Sequence, residues 1–238
     1  MSVPPVRVQK RIAESGIYSR REAEELIRSG RVQINGEFVT EMGRKVSSED
    51  EIWVDGKALI SHQKITIALN KPKAVTSTRL DLHAKETLMD LLPPELHHLK
   101  PVGRLDQNSE GLILMSNDGD LIQKLSHPRF GHKKVYDVQV KGEIKARDLI
   151  QFQTGSFVLD EYPLKAMEMS IKKISPSSSW LQITLSEGRK RQIRRCMEAI
   201  GHPVLYLQRV QIGQLKLGTL SPGQYRILDH QDLQLALQ

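Results

Sequence analysis

The chain has 238 residues, 35 Lys and Arg against 28 Asp and Glu for a formal charge of +7, and a single cysteine. That length supports a self-sufficient core, as one large domain or a large one with a small one, and excludes a stapled miniprotein. One thiol excludes an internal disulfide and fits a reducing compartment, while the positive balance favours a polyanionic partner.

The first residues, M-S-V-P-P-V-R-V-Q-K-R, lack the apolar core of a signal peptide, and no stretch approaches the roughly 18 apolar residues of a spanning helix. A cytoplasmic protein without membrane contact is expected. Residues 1–60 are predicted as a first domain. Val8, Ile12 and Ile17 predict a short helix; Ser19 caps a second, S-R-R-E-A-E-E-L-I, with Glu22 completing a capping box and Gly30 ending it. R-V-Q-I-N-G then alternates apolar and polar residues up to the hairpin turn Asn35-Gly36, before short strands through Val39, Val46 and 52–54. The first 31 residues carry seven Lys or Arg against four acids and residues 32–60 carry three against six, so the helical end is the basic one. A polar link at 61–64 leaves room for a hinge.

The second domain, residues 61–238, opens with the strand I-T-I-A-L leading into Asn70-Lys71-Pro72. Helical patterns lie at 87–91, 121–125, 146–154 and 191–200. Strands are predicted at 134–140, 164–171 and 180–185, with Pro176 and the serines at 177–179 connecting the last two. These strands and helices do not repeat as strand, helix, strand. The fold class is therefore α+β, with a mixed, mainly antiparallel sheet flanked by helices.

Three patterns carry chemistry. The segment G-R-L-D-Q-N-S-E-G-L at 103–112 places Asp106 two residues after Arg104, in a Gly-bounded loop between apolar runs at 99–102 and 112–115. A carboxylate with no second acid beside it reads as a nucleophile or a lone general base, and also as a hydrogen-bond acceptor in a turn, which the spacing alone favours. The run E-G-R-K-R-Q-I-R-R-C at 187–196 sets five Lys or Arg in seven positions at the head of a helix, either a phosphate patch or a solvated face. Tyr136, in K-K-V-Y at the start of a strand, reads as half-buried packing or as a stacking ring.

Other chemistries lack support, since there is no Walker loop, G-x-G-x-x-G, H-E-x-x-H or paired Cys-x-x-Cys. His97 and His98 are adjacent and so do not share a face for a metal. His83, His127, His132 and His202 sit in polar surroundings where surface or hydrogen-bonding roles are the default. Cys196 reads as a packing thiol, although its cationic neighbours would lower its pKa.

Taken together, the segments resemble the RsuA/RluB family of ribosomal RNA pseudouridine synthases over nearly the whole chain. S-R-R-E-A-E-E-L-I-R-S-G-R-V-Q-I-N-G at 19 resembles the small RNA-binding domain first seen in ribosomal protein S-four. L-N-K-P at 69, P-V-G-R-L-D-Q-N-S-E-G-L at 101, S-N-D-G at 116, H-P-R at 127, K-V-Y at 134, E-G-R-K-R-Q-I-R-R at 187 and G-H-P-V-L at 201 follow in the family's order. The resemblance implies a pseudouridine synthase fold and the isomerisation of uridine in structured RNA. The bond from the sugar to the ring nitrogen is cut, uracil turns, and carbon 5 is joined to the anomeric carbon. It implies Asp106 as nucleophile, attacking either sugar or ring, and Tyr136 packing against the base and helping to remove the proton from carbon 5. It also implies Arg189 pairing with the aspartate, Ile193 lining the uracil pocket, and Arg104 displacing the target nucleotide. Arg191, placed with the substrate-binding residues, and Ser109 depart from the commonest residues at their positions, histidine or another polar residue and threonine.

These motifs lead to a site-specific ribosomal RNA pseudouridine synthase, with large-subunit RNA favoured and small-subunit RNA the other target. No metal, membrane or cofactor is expected. The partner is ribosomal RNA or an assembly intermediate, met by a monomer. Lys10, Arg20, Arg21 and Arg31 are expected to contact phosphates. The alternative is a non-catalytic RNA-binding ribosome-assembly factor. A glycosidase or nucleoside hydrolase would need a second carboxylate, for which Glu110 is the nearest candidate.

Overall fold

The computed structural model describes residues 4–60, 63–78 and 86–238, so Ser61 and His62 of the expected hinge, and His83, lie outside the described residues. The chain forms two compact units, residues 1–65 with 117–119, and the remainder. Among the described residues no helix is long and apolar enough to cross a membrane.

The first unit runs β1 (Val6–Arg7), α1 (Val8–Glu14), α2 (Arg20–Arg28), β2 (Val32–Ile34), β3 (Glu37–Phe38), β4 (Lys45–Val46), β5 (Ile52–Val54) and β6 (Lys57–Ala58). Val8 and Ile12 are fully buried, but α1 stops at Glu14, so Ile17 lies beyond the helix and is 54% exposed. The capping box of α2 forms as read: Ser19 Oγ accepts from Glu22 N at 3.2 Å, and Glu22 Oε2 accepts from Ser19 N at 2.5 Å. Such a cap stabilises a helix end by about 1 kcal/mol. Asn35 and Gly36, at φ 50° and 87°, make the tight turn between β2 and β3. Leu26 and Ile27 of α2 pack with Val32, Ile34, Ile52 and Val54 over the antiparallel sheet β3-β2-β5-β6.

The second unit contains β7 (Thr66–Lys71), β8 (Lys100–Val102), β9 (Glu110–Ser116), most of α3 (Gly119–Ser126), β10 (Lys134–Lys141), α4 (Ala146–Gln153), β11 (Val158–Leu159), β12 (Tyr162–Pro163), β13 (Glu168–Ile174), β14 (Ser178–Leu185), α5 (Gln192–Ala199), β15 (Val204–Ile212), β16 (Leu215–Lys216), β17 (Tyr225–Ile227) and α6 (His230–Leu237). Among the described residues one nine-stranded sheet runs β13-β14-β10-β15-β9-β7-β17, with β16 and β8 on β15 and β9. It is mixed and mainly antiparallel with helices around it, as expected. The segment 87–91 is a 3-10 turn capped by Thr87, not an α-helix. The strand expected at 164–171 begins at Glu168, because residues 158–163 fold back as a small hairpin.

β15, unanticipated in sequence, sits mid-sheet and, among the described residues, makes the one parallel strand pairing, with β9, at Gln208↔Glu110 and Arg209↔Gly111. That seam brings the loop entering β9 beside β10, because β10 flanks β15 on its other side.

Candidate active site

The loop between β8 and β9, the head of β10, the turn after β14 and the start of α5 surround one pocket with about 490 Å³ of empty space. Its lining includes Arg104, Asp106, Ser109, Tyr136, Arg189, Arg191, Ile193 and Arg194. Five residues and a tyrosine separated by up to 89 positions in sequence, Arg104, Asp106, Tyr136, Arg189, Arg191 and Ile193, thus meet at one place. Asp106 is the sole carboxylate among the described lining residues, and Glu110 is not part of the lining.

The Asp106 loop is held by its backbone. Ser77 Oγ donates to Leu105 O at 2.7 Å and accepts from Leu105 N at 3.0 Å. Ala74 N donates to Gln107 O at 2.9 Å, Lys71 Nζ reaches Gln107 O at 3.2 Å, and Arg194 Nη2 donates to Asn108 O at 2.6 Å. Asp106 O accepts from Ser109 N at 2.9 Å, so the loop does turn here, through the main chain and not through the carboxylate. The two readings are compatible: the turn uses the main chain and leaves the half-buried carboxylate facing the pocket's cations.

Tyr136 is 8% exposed on β10, opposite Ile183 of β14 and Arg209 of β15. The buried Ile193 lies at the second position of α5. Arg191 caps that helix at φ 52°, a left-handed conformation uncommon outside glycine. Gln192 fixes the turn, accepting from Arg189 N at 3.0 Å and donating to Glu187 at 3.2 Å.

The structure does not form the expected Asp106–Arg189 ion pair. Both groups line the pocket, but Arg189 Nε lies 3.8 Å from Glu187, and its guanidinium stands 5.4 Å from the Tyr162 ring. The cations that feel the Asp106 charge are Lys71 and Arg194. Lys71 is fully buried; burial pushes its ammonium down to about 8, against the pull of Glu110 and then Asp106. Burial and then Arg191 lower Arg194, while Asp106 raises it. Sequence reasoning passed over Lys71, Ser77, Gln192 and Arg194. The signal for two of them was available, since Lys71 stands in L-N-K-P and Arg194 in the basic run.

Cys196 is buried, and burial pushes its thiol up to about 11, outweighing the pull of Arg195, which is engaged by Asp160. The thiol is buried, as its packing reading expects, and its cationic neighbours do not bring it down. His132, for which a surface or a hydrogen-bonding role was expected, is 9% exposed and hydrogen-bonded to the Lys124 backbone. His127 accepts from Arg129 N at 3.1 Å, and His202 Nδ1 lies 2.9 Å from Lys141 O.

On the first unit, Arg20 and Arg21 are exposed in the first turn of α2. Arg31, by contrast, is committed to Asp55 through two hydrogen bonds of 2.6 Å, and Lys10 lies 3.8 Å from Glu14.

With this geometry in place, comparison with known proteins is specific. The family model described as RNA pseudouridylate synthase matches residues 65–199, and the S4 domain model matches residues 6–52. An uncharacterised RNA pseudouridine synthase of Aquifex aeolicus is 39% identical over 230 residues, 96% of this chain and 92% of its own length. The ribosomal large subunit pseudouridine synthase B of Bacillus subtilis is 39% identical over 225 residues, covering 93% and 91%. A crystal structure of a pseudouridylate synthase aligns with TM-score 0.69 at 27% identity, over 97% of this chain and 99% of that one.

Proposed function

Because the chain belongs to the RNA pseudouridylate synthase family and carries an S4 domain, we propose that it isomerises a specific uridine of ribosomal RNA, large-subunit RNA by preference, with Asp106 as nucleophile. The observation that carries the residue roles is the convergence of Asp106, Tyr136 and Ile193, distant in sequence, on one pocket rimmed by four arginines, 104, 189, 191 and 194. A uridine within paired or stacked RNA is out of reach of a carboxylate and must be extruded, which costs a few kcal/mol. Stacking on Tyr136, apolar contact with Ile193 and phosphate contacts from the arginines offset that cost, with Arg104, exposed at the rim, displacing the nucleotide. Asp106 then forms a covalent bond to the sugar or the ring, the bond from the sugar to N1 breaks, and uracil turns. Carbon 5 bonds to the anomeric carbon, the bond to Asp106 breaks and frees its carboxylate, carbon 5 loses its proton with the help of Tyr136, and N1 gains one. No water is consumed, which agrees with a pocket holding one carboxylate where a hydrolase would use two.

Arg189 serves as a rim cation of the pocket. It lies 3.8 Å from Glu187, while the charge of Asp106 raises Arg194. The enzyme works as a cytoplasmic monomer on ribosomal RNA or an assembly intermediate. Deleting the gene and mapping pseudouridines in ribosomal RNA by carbodiimide-blocked primer extension tests this. One missing modification, restored by the intact gene, is expected, and an unchanged map rejects the reading.

Arg20 and Arg21 contact RNA phosphates. Reversing both charges lowers RNA affinity and flattens the log–log salt dependence by about 2, at about 0.9 per phosphate contact. Arg31→Gln has a smaller effect, because its guanidinium is held by Asp55. Equal affinity for the double reversal and the wild type would remove Arg20 and Arg21 from the RNA interface.

A further inference from the structure

Beside the Asp106 pocket, and sharing Arg104, Tyr136 and Gly188 with it, lies a second cavity with about 550 Å³ of empty space. Its wall holds an unbalanced set of charges. Arg209 is 2% exposed; its Nε donates to Leu112 O at 2.7 Å, but its Nη2 is buried with no partner. His132, also on the wall, is hydrogen-bonded to the Lys124 backbone, and burial and then Lys134 disfavour its charged form. Lys134 reaches one acceptor, His132 O at 3.3 Å, and is pushed down to about 8 by burial and then by the charge of Arg209. A guanidinium does not lose its proton in a protein, so a buried, half-satisfied arginine beside a lysine is costly unless an anion answers it.

The acid at this wall is already occupied. Glu187 Oε1 accepts from Lys165 N at 3.1 Å and from Gln192 Nε2 at 3.2 Å, and Oε2 lies 3.8 Å from Arg189. A water would satisfy single donors but bring no charge. A phosphate oxygen brings both, and the shared Tyr136 and Arg104 place the cavity beside any base held in the first pocket.

We propose that this second cavity seats one RNA phosphate, a phosphodiester flanking the extruded uridine, on Lys134 and Arg209. The inference rests on the uridine-binding reading of the Asp106 pocket and adds the phosphate that fixes the nucleotide's register there. Base and phosphate are then gripped by one face of the sheet, since Tyr136 and Arg209 are cross-strand partners.

The test uses the full chain with uridine, uridine 5′-monophosphate, uridine 3′-monophosphate and inorganic phosphate as probes, by calorimetric competition at fixed ionic strength. One monophosphate is expected to bind about tenfold more tightly than uridine, as a charge-assisted hydrogen bond would give. Which of the two does so assigns the 5′ or 3′ phosphate. Inorganic phosphate should compete with it, and Lys134→Gln should erase the advantage while leaving uridine binding unchanged. Equal binding of uridine and both monophosphates overturns the proposal, and so does an advantage that survives Lys134→Gln. A second measurement needs no variant: the Arg209 Nη resonances of the wild type should shift and saturate on adding inorganic phosphate, and an absent shift counts against the site. A pseudouridine map unchanged by gene deletion would reject the functional reading without altering these binding results.

Discussion

Asp106→Asn abolishes pseudouridine formation while the protein stays folded and keeps its affinity for RNA. Asparagine preserves the shape of the side chain and removes the nucleophilic oxygen. Losing a nucleophile of this kind costs about 10⁴-fold or more in kcat. The fold should tolerate the change because the loop is secured by main-chain groups, through Ser77, Lys71, Ala74 and Arg194, and no hydrogen bond to the Asp106 side chain is among those contacts. The unfolding free energy should therefore change by no more than an ordinary surface substitution does, about 0.5 kcal/mol. Single-turnover assays on ribosomal RNA, read by primer extension, supply the rate. The result separates three readings. A synthase loses modification; an RNA-binding assembly factor shows no modification to lose and growth insensitive to the substitution; a nucleoside hydrolase releases free uracil in the wild type. Retained modification in Asp106→Asn would sink the nucleophile assignment.

Much of this site was legible in sequence, for a physical reason. Local rules write themselves locally: Ser19 and Glu22 stand three apart because the capping box requires it, and Asn35-Gly36 appears because its turn needs positive φ twice. The Asp106 loop was visible as a polar insertion between two apolar runs. What stayed hidden were groups whose roles depend on long-range pairing. β15 was missed because its inward face presents Leu207 and then Arg209, and a buried arginine breaks the alternation that marks a strand. Lys71 reads as a surface cation until β7 is placed between β9 and β17, where all six of its residues are buried. The Arg189 partner was misjudged for a related reason: sequence supplied a basic run, while the turn fixed by Gln192 decides which guanidinium faces which acid. Topology, more than composition, selects among chemically equivalent arginines.

Gly111→Ala should be the most damaging single methyl added to the catalytic unit. Gly111 lies at φ 100°, and a Cβ built there falls 2.3 Å from Arg209 O and 2.8 Å from Arg209 N. Both are backbone atoms of the central strand, so no side-chain rotation relieves the overlap. β15 is held on its other flank by its long antiparallel pairing with β10, and β9 is held by β7, so neither strand can retreat alone. The overlap and the left-handed backbone together should cost about 3–5 kcal/mol, enough to unfold the unit or to break the Gln208↔Glu110 and Arg209↔Gly111 seam. Gly103→Ala, at the start of the loop that leads into β9, is the control. Gly103 also has a left-handed backbone, φ 73°, but a Cβ there meets nothing within 4 Å, so the cost should be that of the conformation alone, about 1–2 kcal/mol. Urea unfolding of both variants supplies the comparison, and activity in the folded fraction supplies a second. Opening the seam moves β9, and with it the exit of the Asp106 loop, away from Arg209 and Tyr136, so any folded Gly111→Ala protein should also be slow. A Gly111→Ala variant as stable as Gly103→Ala would mean that the close approach of β9 and β15 does not hold the site together.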